Sequence, residues 1–310
     1  MRKEEIEKSF LERYFIQNAE QRFQDETLSF LYFRKGQFLN PKKMQEYIEQ
    51  FTNEEIDSFY NKNEFNMPQT RFIVTTKCTL KCADCNFLIP YFQKHLEYSL
   101  DQFKSEFDIL TGAVDKIRKL IFLGGEPLLN PHLFEMIEYS AKSEIVNLIE
   151  ITINGTMLPS QQLLDACKKS TKTYFHISNY SQNENLRPFL KLEQLTSLLK
   201  KNSISYQMAS NWTWEKEDGF NAEKFSLSQT KEIFQNCYRT RCLSILNSKL
   251  YPCPKGSCGI ELGFIDANDY IDLRHENLRE KLIDFYKKDY FEACEYCALN
   301  QDRVIPALQK

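Results

Sequence analysis

The sequence predicts an α/β protein built around a parallel sheet of βα units. Two observations lead to this prediction. From Phe72 onward, short apolar strands alternate with stretches of helical periodicity. The chain has 310 residues, 42% of them hydrophobic, which is enough for one large domain with a smaller one attached. Such a sheet is either rolled or doubly wound, and in both cases its active site lies at the carboxyl ends of the strands.

The pattern divides the chain into three predicted domains. Residues 1–68 are a helical N-terminal extension, because apolar residues in IEKSFLERYFIQNAEQRF are spaced by three and four. Residues 69–225 carry the alternating pattern. Residues 226–310 lose the alternation and are rich in cysteine, so they form a smaller C-terminal domain.

The pattern predicts five strands separated by four helices. The predicted strands are RFIVTT, KLIFLGG, NLIEITING, TYFHIS and SISYQM, and helices near residues 99–117, 131–142, 160–169 and 192–201 separate them. Further on, CLSILNSKLYPC is typical of a β-hairpin turning at Asn247–Ser248. Helices at SQTKEIFQNC and LREKLIDFYKK precede and follow this hairpin, and the second one leads to CEYC.

Composition excludes several classes of protein. The net charge is only −3 and the lysines are interleaved with acids, so we expect no nucleic-acid partner. No apolar run approaches the roughly 20 residues of a membrane span. The start MRKEEIEKSF lacks the apolar core of a signal peptide, so we expect a cytoplasmic protein with reduced thiols. Ten cysteines in that setting favour ligand or catalytic roles over disulfides.

Three of these cysteines, Cys78, Cys82 and Cys85, lie in TTKCTLKCADC directly after the first predicted strand. Clustered thiols indicate a disulfide framework, a zinc site, an iron–sulfur site or chance. A zinc ion needs a fourth ligand nearby, and the nearest histidine, His95, follows Cys85 by ten residues. Three thiolates without a local fourth ligand suit a 4Fe–4S cluster whose remaining iron is open.

This C-x3-C-x2-C loop resembles that of the radical S-adenosylmethionine (SAM) enzymes. FLGGEP ends the next strand and resembles the GGEP motif with which that family holds the amino group of SAM, here Gly124, Gly125 and Glu126. TINGT ends the third strand, where the family often carries a Thr-Asn-Gly run, and HISNY ends the fourth. The resemblance thereby assigns Asn154 and Ser178 to SAM binding as well.

The resemblance implies a partial (β/α)6 TIM-like barrel, a SAM-binding 4Fe–4S cluster, SAM itself and an electron donor such as flavodoxin or ferredoxin. In that family one electron cleaves SAM to methionine and a 5′-deoxyadenosyl radical, which abstracts a hydrogen atom from the substrate. The chain departs from the family at Asp84, since an aromatic residue that packs near the adenine usually stands there. Phe87 and Tyr91 are the candidate replacements.

Six further cysteines follow the predicted barrel: Cys237, Cys242, Cys253, Cys258, Cys294 and Cys297. In the predicted hairpin, Cys242 lies opposite Cys253, with Cβ atoms at about 5 Å. The pair in CEYC adds two ligands, so Cys242, Cys253, Cys294 and Cys297 can enclose a second cluster. A structural zinc ion on the same sulfurs is the alternative.

This arrangement resembles the twitch form of the SPASM extension of radical SAM enzymes, which implies an auxiliary 4Fe–4S cluster in residues 226–310. By spacing, Cys237 fits the first ligand of that pattern better than Cys242, and the choice between them stays open. Ser248 stands where the pattern has a glycine. Cys258 is either a spare thiol or a substrate-facing ligand. An auxiliary cluster can accept a second electron and so permit a two-electron oxidation.

Substrate contacts are predicted at the mouth of the cleft. Trp212 and Trp214 follow the fifth strand, where they either stack on a sugar ring or cover the core. His176 and Arg187 flank the same region, either as substrate contacts or as core or solvent residues. We expect an oxidoreductase that acts on a small polar, carbohydrate-like substrate, with no nucleic-acid or membrane partner. The alternatives are a peptide-modifying radical SAM maturase and, in another class, a non-catalytic zinc-binding interaction protein.

Overall fold

The computed structural model describes residues 65–208, 213–216, 225–237, 243–288, 290–297 and 302–310. The predicted helices of the N-terminal extension lie outside the described residues. The first strand, β1, covers Asn66–Thr75, so it begins five residues before the predicted RFIVTT and includes the last residues assigned to the extension. None of the helices in the described ranges has both the length and the apolar character that a bilayer crossing demands.

The predicted alternation of strands and helices is confirmed. After β1 follow β2 (Lys116–Gly124), β3 (Val146–Ile153), β4 (Thr173–Ile177) and β5 (Ser205–Met208). Between them lie α1 (Leu100–Ala113), α2 (Leu133–Ala141), α3 (Gln161–Lys168) and α4 (Leu192–Lys201). Helix α1 was predicted to reach residue 117, but it ends earlier because the apolar run from Lys116 is drawn into β2.

The five strands are parallel and lie in the order β5-β4-β3-β2-β1. Each new strand is added on the same side, so these strands contain no reversal of strand order. A doubly wound sheet requires such a reversal. Of the two predicted arrangements, the doubly wound one is therefore wrong for these strands.

One face of the sheet packs against helix α1. The register aligns Phe72, Phe122, Ile151 and Phe175, all almost completely buried, across four strands. Phe103 of α1 contacts Phe72 and Phe122 with ring centroids 5.0 and 5.4 Å apart. Each buried phenylalanine contributes about 1.5–3 kcal/mol, so this layer fixes the register.

The sheet continues into the cysteine-rich region. Strand β7 (Ser244–Leu246) pairs with β1 in parallel and forms a hairpin with β8 (Lys249–Tyr251), which pairs with β9 (Ile271–Asp272). The hairpin turns at Asn247–Ser248 in the predicted register. Both turn residues have positive φ, 53° and 62°, as the right-handed twist of a two-residue hairpin requires. Residues on both sides of the predicted domain boundary at 225/226 therefore contribute strands to the same sheet.

The remaining elements are helices and short strands around this sheet. They include β6 (Trp214–Glu215), α5 (Leu227–Asn236), α6 (Pro254–Glu261), α7 (Leu278–Lys287), a 3₁₀ helix (Glu292–Tyr296) and β10 (Arg303–Val304), which pairs with β6. Helix α5 begins with a capping box between Ser226 and Gln229, which fixes its start. Helix α6 was not predicted, and it carries Cys258.

Candidate functional site

The loop after β1 brings Cys78, Cys82 and Cys85 together. Cys82 is buried and the other two are half-buried. Burial, with a smaller contribution from a charged thiolate at Cys85, raises the pKa of Cys78 to about 11 and that of Cys82 to about 12. The three cysteines pack in one apolar cluster. His95 is placed at the base of the loop, with Nδ1 3.3 Å from the Thr76 hydroxyl.

Two glycines hold this loop against the end of β2. A Cβ atom on Gly124 would lie 2.1 Å from the carbonyl oxygen of Thr75, and one on Gly125 would lie 2.1 Å from that of Lys77. The backbone N–H of Gly125 donates to Thr75 at 2.9 Å, and that of Glu126 donates to Lys77 at 2.8 Å. Only glycine permits this approach, so the glycines of GGEP fix the start of the cysteine loop.

The Glu126 side chain is completely buried between two strand ends. Its carboxylate accepts hydrogen bonds from the backbone N–H of Asn154 at 2.8 Å and of Leu128 at 3.2 Å. Burial raises the pKa of Glu126 to about 7, and these two hydrogen bonds oppose the rise. Since a carboxylate offers about four acceptor sites, capacity for an ammonium group remains.

Asn154 connects the end of β3 to the cysteine loop. Its Nδ2 donates to the Thr79 hydroxyl at 2.9 Å and lies 3.8 Å from the Cys78 sulfur. Its Oδ1 accepts from the backbone N–H and the hydroxyl of Thr156, at 3.0 and 2.7 Å. The Thr79 and Thr156 hydroxyls are themselves 2.7 Å apart, which closes the network.

Ser178, directly after β4, completes the set of predicted SAM-binding residues. It is buried and shares a hydrogen bond with the Tyr180 hydroxyl. Burial raises the pKa of Tyr180 well above its ordinary value, and charged thiolates on the cysteine loop raise it further. Tyr180 packs in the same apolar cluster as Cys82, so the strand end that carries Ser178 also meets the cysteine loop.

A second group of thiols forms around Cys294. Burial raises the pKa of Cys294 well above its ordinary value, and charged thiolates at Cys297, Cys253 and Cys237 raise it further. Cys253 precedes α6 and its sulfur accepts from the N–H of Gly256 at 3.2 Å. Cys237, the alternative to Cys242, is described, whereas Cys242 lies outside the described residues, so the choice between the two stays open.

Cys258 lies apart from these four. It is completely buried in the main apolar core. Burial raises its pKa above the ordinary value, and charged thiolates at Cys85 and Cys253 raise it further. The Cys258 thiol therefore lies within electrostatic reach of one cysteine from each group.

The sequence model of the Radical SAM superfamily matches residues 72–194. This part of the chain is a radical SAM domain. The matched residues contain the cysteine loop, the GGEP motif, Asn154 and Ser178. Family membership of this domain implies a 4Fe–4S cluster and SAM.

Two curated relatives are both named GTP 3′,8-cyclase. The protein from Clostridium acetobutylicum is 32% identical over 136 residues, which cover 39% of this chain and 42% of the relative. The protein from Chlorobaculum tepidum is 32% identical over 96 residues, which cover 31% of this chain and 28% of the relative. The chain thus matches less than half the length of either relative. Similar solved structures include BtrN in complex with AdoMet and 2-DOIA, at 14% identity and a TM-score of 0.44, covering 77% of this chain and 98% of that one.

The donor set of the radical SAM domain fits an iron–sulfur cluster. Backbone N–H of Leu80 and side-chain Nε2 of Gln309 point to the sulfurs of Cys78 and Cys82, at 3.4 and 3.5 Å, as donors to a thiolate do. Metal binding deprotonates a coordinating thiol outright, which overcomes the raised pKa values. In the described ranges no three Cys, His, Asp or Glu side chains converge as one metal ion requires, but each cysteine of a 4Fe–4S cluster binds its own iron.

The residues predicted to contact substrate lie in different parts of the structure. Trp214 is half-buried and packs edge-to-face on Tyr180 at 5.6 Å, beside the cysteine loop. Arg187 is exposed, and its Nε donates to the backbone oxygen of Ser181 at 3.2 Å. Trp212 lies outside the described residues. Of the candidates to replace the aromatic residue at Asp84, Phe87 packs on the main core, and Tyr91 contacts Phe264 edge-to-face.

The sheet face opposite the helices carries a buried polar network below the radical SAM site. Glu150 accepts hydrogen bonds from Tyr174 and, at 2.8 Å, from Thr152, and lies 3.4 Å from the Lys119 ammonium. Burial alone would raise the pKa of Glu150, but Lys119, His176 and these hydrogen bonds lower it to about 2. The register pairs Thr152 with His176, and both side chains are only partly buried.

Sequence reasoning missed four residues of the site: Thr79, Thr156, Tyr180 and Gln309. Thr79, Thr156 and Tyr180 lie inside the motifs TTKCTLKCADC, TINGT and HISNY, so their hydroxyl groups were visible in the sequence. Gln309 lies 227 residues from Cys82, and no local sequence pattern predicts the contact between their side chains.

Proposed function

We propose that the protein is a radical SAM enzyme that reductively cleaves SAM and abstracts a hydrogen atom in order to oxidise a small polar, carbohydrate-like substrate. The observation that carries the proposal is the meeting of four strand ends at the cysteine loop. In this proposal the sheet belongs to a partial (β/α)6 barrel, with a helical N-terminal extension and a small C-terminal cluster-binding domain.

Each residue has a role in the proposed site. Cys78, Cys82 and Cys85 hold three irons of a 4Fe–4S cluster, and bound SAM supplies a 5′-deoxyadenosyl radical after one-electron reduction. Glu126 accepts from the ammonium group of SAM through its remaining acceptor sites, while its bonds to the backbone keep it in place. Asn154 holds the cysteine loop against β3.

The second thiol group supports the assignment to oxidation. Cys253, Cys294 and Cys297, with either Cys242 or Cys237, supply four thiolates, the full ligand set of an auxiliary 4Fe–4S cluster. A fully ligated cluster has no open iron, so its role is electron transfer. Such an acceptor would permit removal of a second electron from the substrate.

The polar face of the sheet supports a polar substrate. Thr152 and His176 are partly exposed one residue pair below the strand ends that carry Asn154 and Ser178. A substrate with hydroxyl groups is compatible with such a polar lining, whereas an apolar substrate would desolvate it. The partners of this proposal are a small-molecule substrate and a flavodoxin or ferredoxin, with no nucleic acid or membrane.

The first experiment measures iron and SAM cleavage. Anaerobic reconstitution is expected to give about eight irons per chain, and simultaneous replacement of Cys78, Cys82 and Cys85 by alanine about four. Dithionite-driven formation of 5′-deoxyadenosine should vanish in that triple variant. Cys167→Ala is the matched control, since Cys167 is a buried cysteine of α3 outside both groups. Stoichiometric zinc without iron would overturn the proposal.

The second experiment identifies the substrate class. Deuterated sugars and cyclitols are incubated with enzyme, SAM and dithionite, and deuterium in 5′-deoxyadenosine marks hydrogen abstraction. His176→Ala should lower deuterium transfer at least tenfold while substrate-free SAM cleavage stays at the wild-type rate. Deuterated GTP and peptides are tested alongside, GTP because the curated relatives are named GTP 3′,8-cyclase. Deuterium transfer from GTP or from a peptide, and not from a sugar or cyclitol, would overturn the proposal of a carbohydrate-like substrate.

A further inference from the structure

Residues 302–310 return to the radical SAM site from the far end of the described chain. Strand β10 (Arg303–Val304) pairs with Trp214–Glu215, and the backbone N–H of Lys216 donates to the Asp302 oxygen at 2.8 Å. Beyond β10, Ala307 is completely buried in the apolar cluster that contains Cys82 and Tyr180. Its carbonyl oxygen accepts from Nδ2 of the buried Asn183 at 2.9 Å.

The segment then pairs with the cysteine loop itself. The backbone N–H of Ala83 donates to the Leu308 oxygen at 2.6 Å, and that of Lys310 donates to the Lys81 oxygen at 2.9 Å. These bonds place Gln309 and Cys82 opposite each other as an antiparallel pair. The middle ligand of the loop is therefore held from both sides by backbone of residues 308–310.

The Gln309 side chain adds three contacts to this pair. Its Oε1 accepts from the backbone N–H of Lys81 at 2.8 Å, and its Nε2 donates to the Ala307 oxygen at 2.8 Å. The same Nε2 lies 3.5 Å from the Cys82 sulfur. A backbone N–H only donates and a carbonyl only accepts, so the amide has one satisfactory orientation, with its N–H₂ toward the sulfur.

We propose that residues 306–310 form a clasp on the cysteine loop and that Gln309 is a positioning residue of the cluster. It fixes Cys82 and donates to its sulfur, which raises the reduction potential of the bound cluster. Reduction adds a negative charge to the cluster, and a donor to a ligand sulfur stabilises that charge. This inference rests on the proposed role of Cys82 as a cluster ligand.

Three single variants separate the hydrogen bond from packing. Gln309→Leu removes the donor while keeping bulk, and Gln309→Glu replaces the donor with a carboxylate near the sulfur. Leu308→Ala is the matched control, because Leu308 holds the loop through its backbone oxygen. The midpoint potential is measured by redox titration of the electron paramagnetic resonance signal that SAM perturbs.

The wild type is expected to have the highest midpoint potential, Gln309→Leu a lower one and Gln309→Glu the lowest. Leu308→Ala should have the same midpoint potential as the wild type. Loss of one hydrogen bond of ordinary strength should shift the reduction equilibrium about fivefold to tenfold, and tenfold is 59 mV for one electron. Equal potentials for the wild type and both Gln309 variants would overturn the inference, as would equal effects of Gln309→Leu and Leu308→Ala.

A second readout needs no cluster. In the apo-protein, hydrogen exchange of the Ala83 amide should be protected in the full chain and at least tenfold faster in a variant that ends at Ile305. Equal exchange in the two proteins would exclude the clasp. Absence of iron from the wild-type site would instead refute the proposed function, and the exchange measurement would still decide whether the clasp exists.

Discussion

Ser248 offers a sharp test of how the hairpin is attached to the radical SAM domain. It has a φ of 62°, in the left-handed region that favours glycine. Its hydroxyl lies 2.7 Å from Oε1 of Glu106 in α1. Glu106 is buried and also accepts from Tyr98 at 2.6 Å and from Gln102 at 2.9 Å. Serine therefore gains a partly buried hydrogen bond to a buried carboxylate at the cost of backbone strain.

The two effects can be separated by substitution. Ser248→Ala removes the hydrogen bond and keeps the strained φ, so it should destabilise the hairpin by about 1.5–3 kcal/mol. Ser248→Gly loses the same bond but relieves about 1 kcal/mol of strain. The expected order of stability is wild type, then Ser248→Gly, then Ser248→Ala. Asn247→Gly, at a φ of 53° with only an exposed side-chain bond to Glu261, is the control and should be nearly neutral.

Native-state hydrogen exchange at residues 244–251 is the assay, because it reports the opening free energy of the hairpin itself. In a Glu106→Gln background the cost of Ser248→Ala should fall by about 1 kcal/mol, since the bond to a charged acceptor is lost. If alanine is as stable as glycine, the strain argument fails. If neither variant loses stability, the bond to Glu106 contributes nothing.

Three further predictions test other parts of the site. Gly125→Ala should at least halve iron incorporation, because its Cβ meets the Lys77 backbone oxygen, whereas Gly112→Ala, with nothing within 4 Å, should bind iron as the wild type does. Glu150→Gln leaves Lys119 buried without its carboxylate and should cost about 3–5 kcal/mol at pH 7 in urea unfolding. Because the pKa of Glu150 is lowered to about 2, its stabilisation is complete above about pH 5 and is lost as the pH falls toward 2, so variant and wild type should converge there. Of Cys237→Ala and Cys242→Ala, one should lose the auxiliary iron and the other should retain it, as measured by iron analysis after reconstitution; full iron in both variants would exclude a cluster that takes its first ligand from either cysteine.

The parallel strands and the hairpin were predictable because local patterns specify them. Apolar runs of strand length, each followed by a polar motif, predict both the strands and the shared edge at which Cys78, Glu126, Asn154 and Ser178 meet. The hairpin register followed from its turn, since a two-residue turn determines every pair beyond it. The match to the family model came from these same residues.

Other features depend on contacts that no local pattern encodes. Helix α6 contains Gly256 and Gly259, which have poor helix propensity, and it starts with Pro254 at its first position. Its sequence therefore resembles a loop. Strands β6 and β10 have two residues each, too few to show a period. The clasp at Gln309 joins positions that are distant in the chain, so only the folded structure brings it to Cys82.

The placement of β7 beside β1 joins the two cysteine-bearing regions of the chain through one sheet. The first group follows β1, and Cys253 follows the hairpin that pairs with β1. Helix α6 then starts at that point, and its Cys258 is within electrostatic reach of both Cys85 and Cys253. Because β7 runs parallel to β1 and β8 runs antiparallel to β7, Cys253 lies toward the end of the sheet at which β1 begins, whereas the cysteine loop follows the end at which β1 stops. In the proposed enzyme, an electron acceptor bound at Cys253 would therefore lie away from the carboxyl ends of the strands and would act by electron transfer through the protein rather than by contact with the substrate.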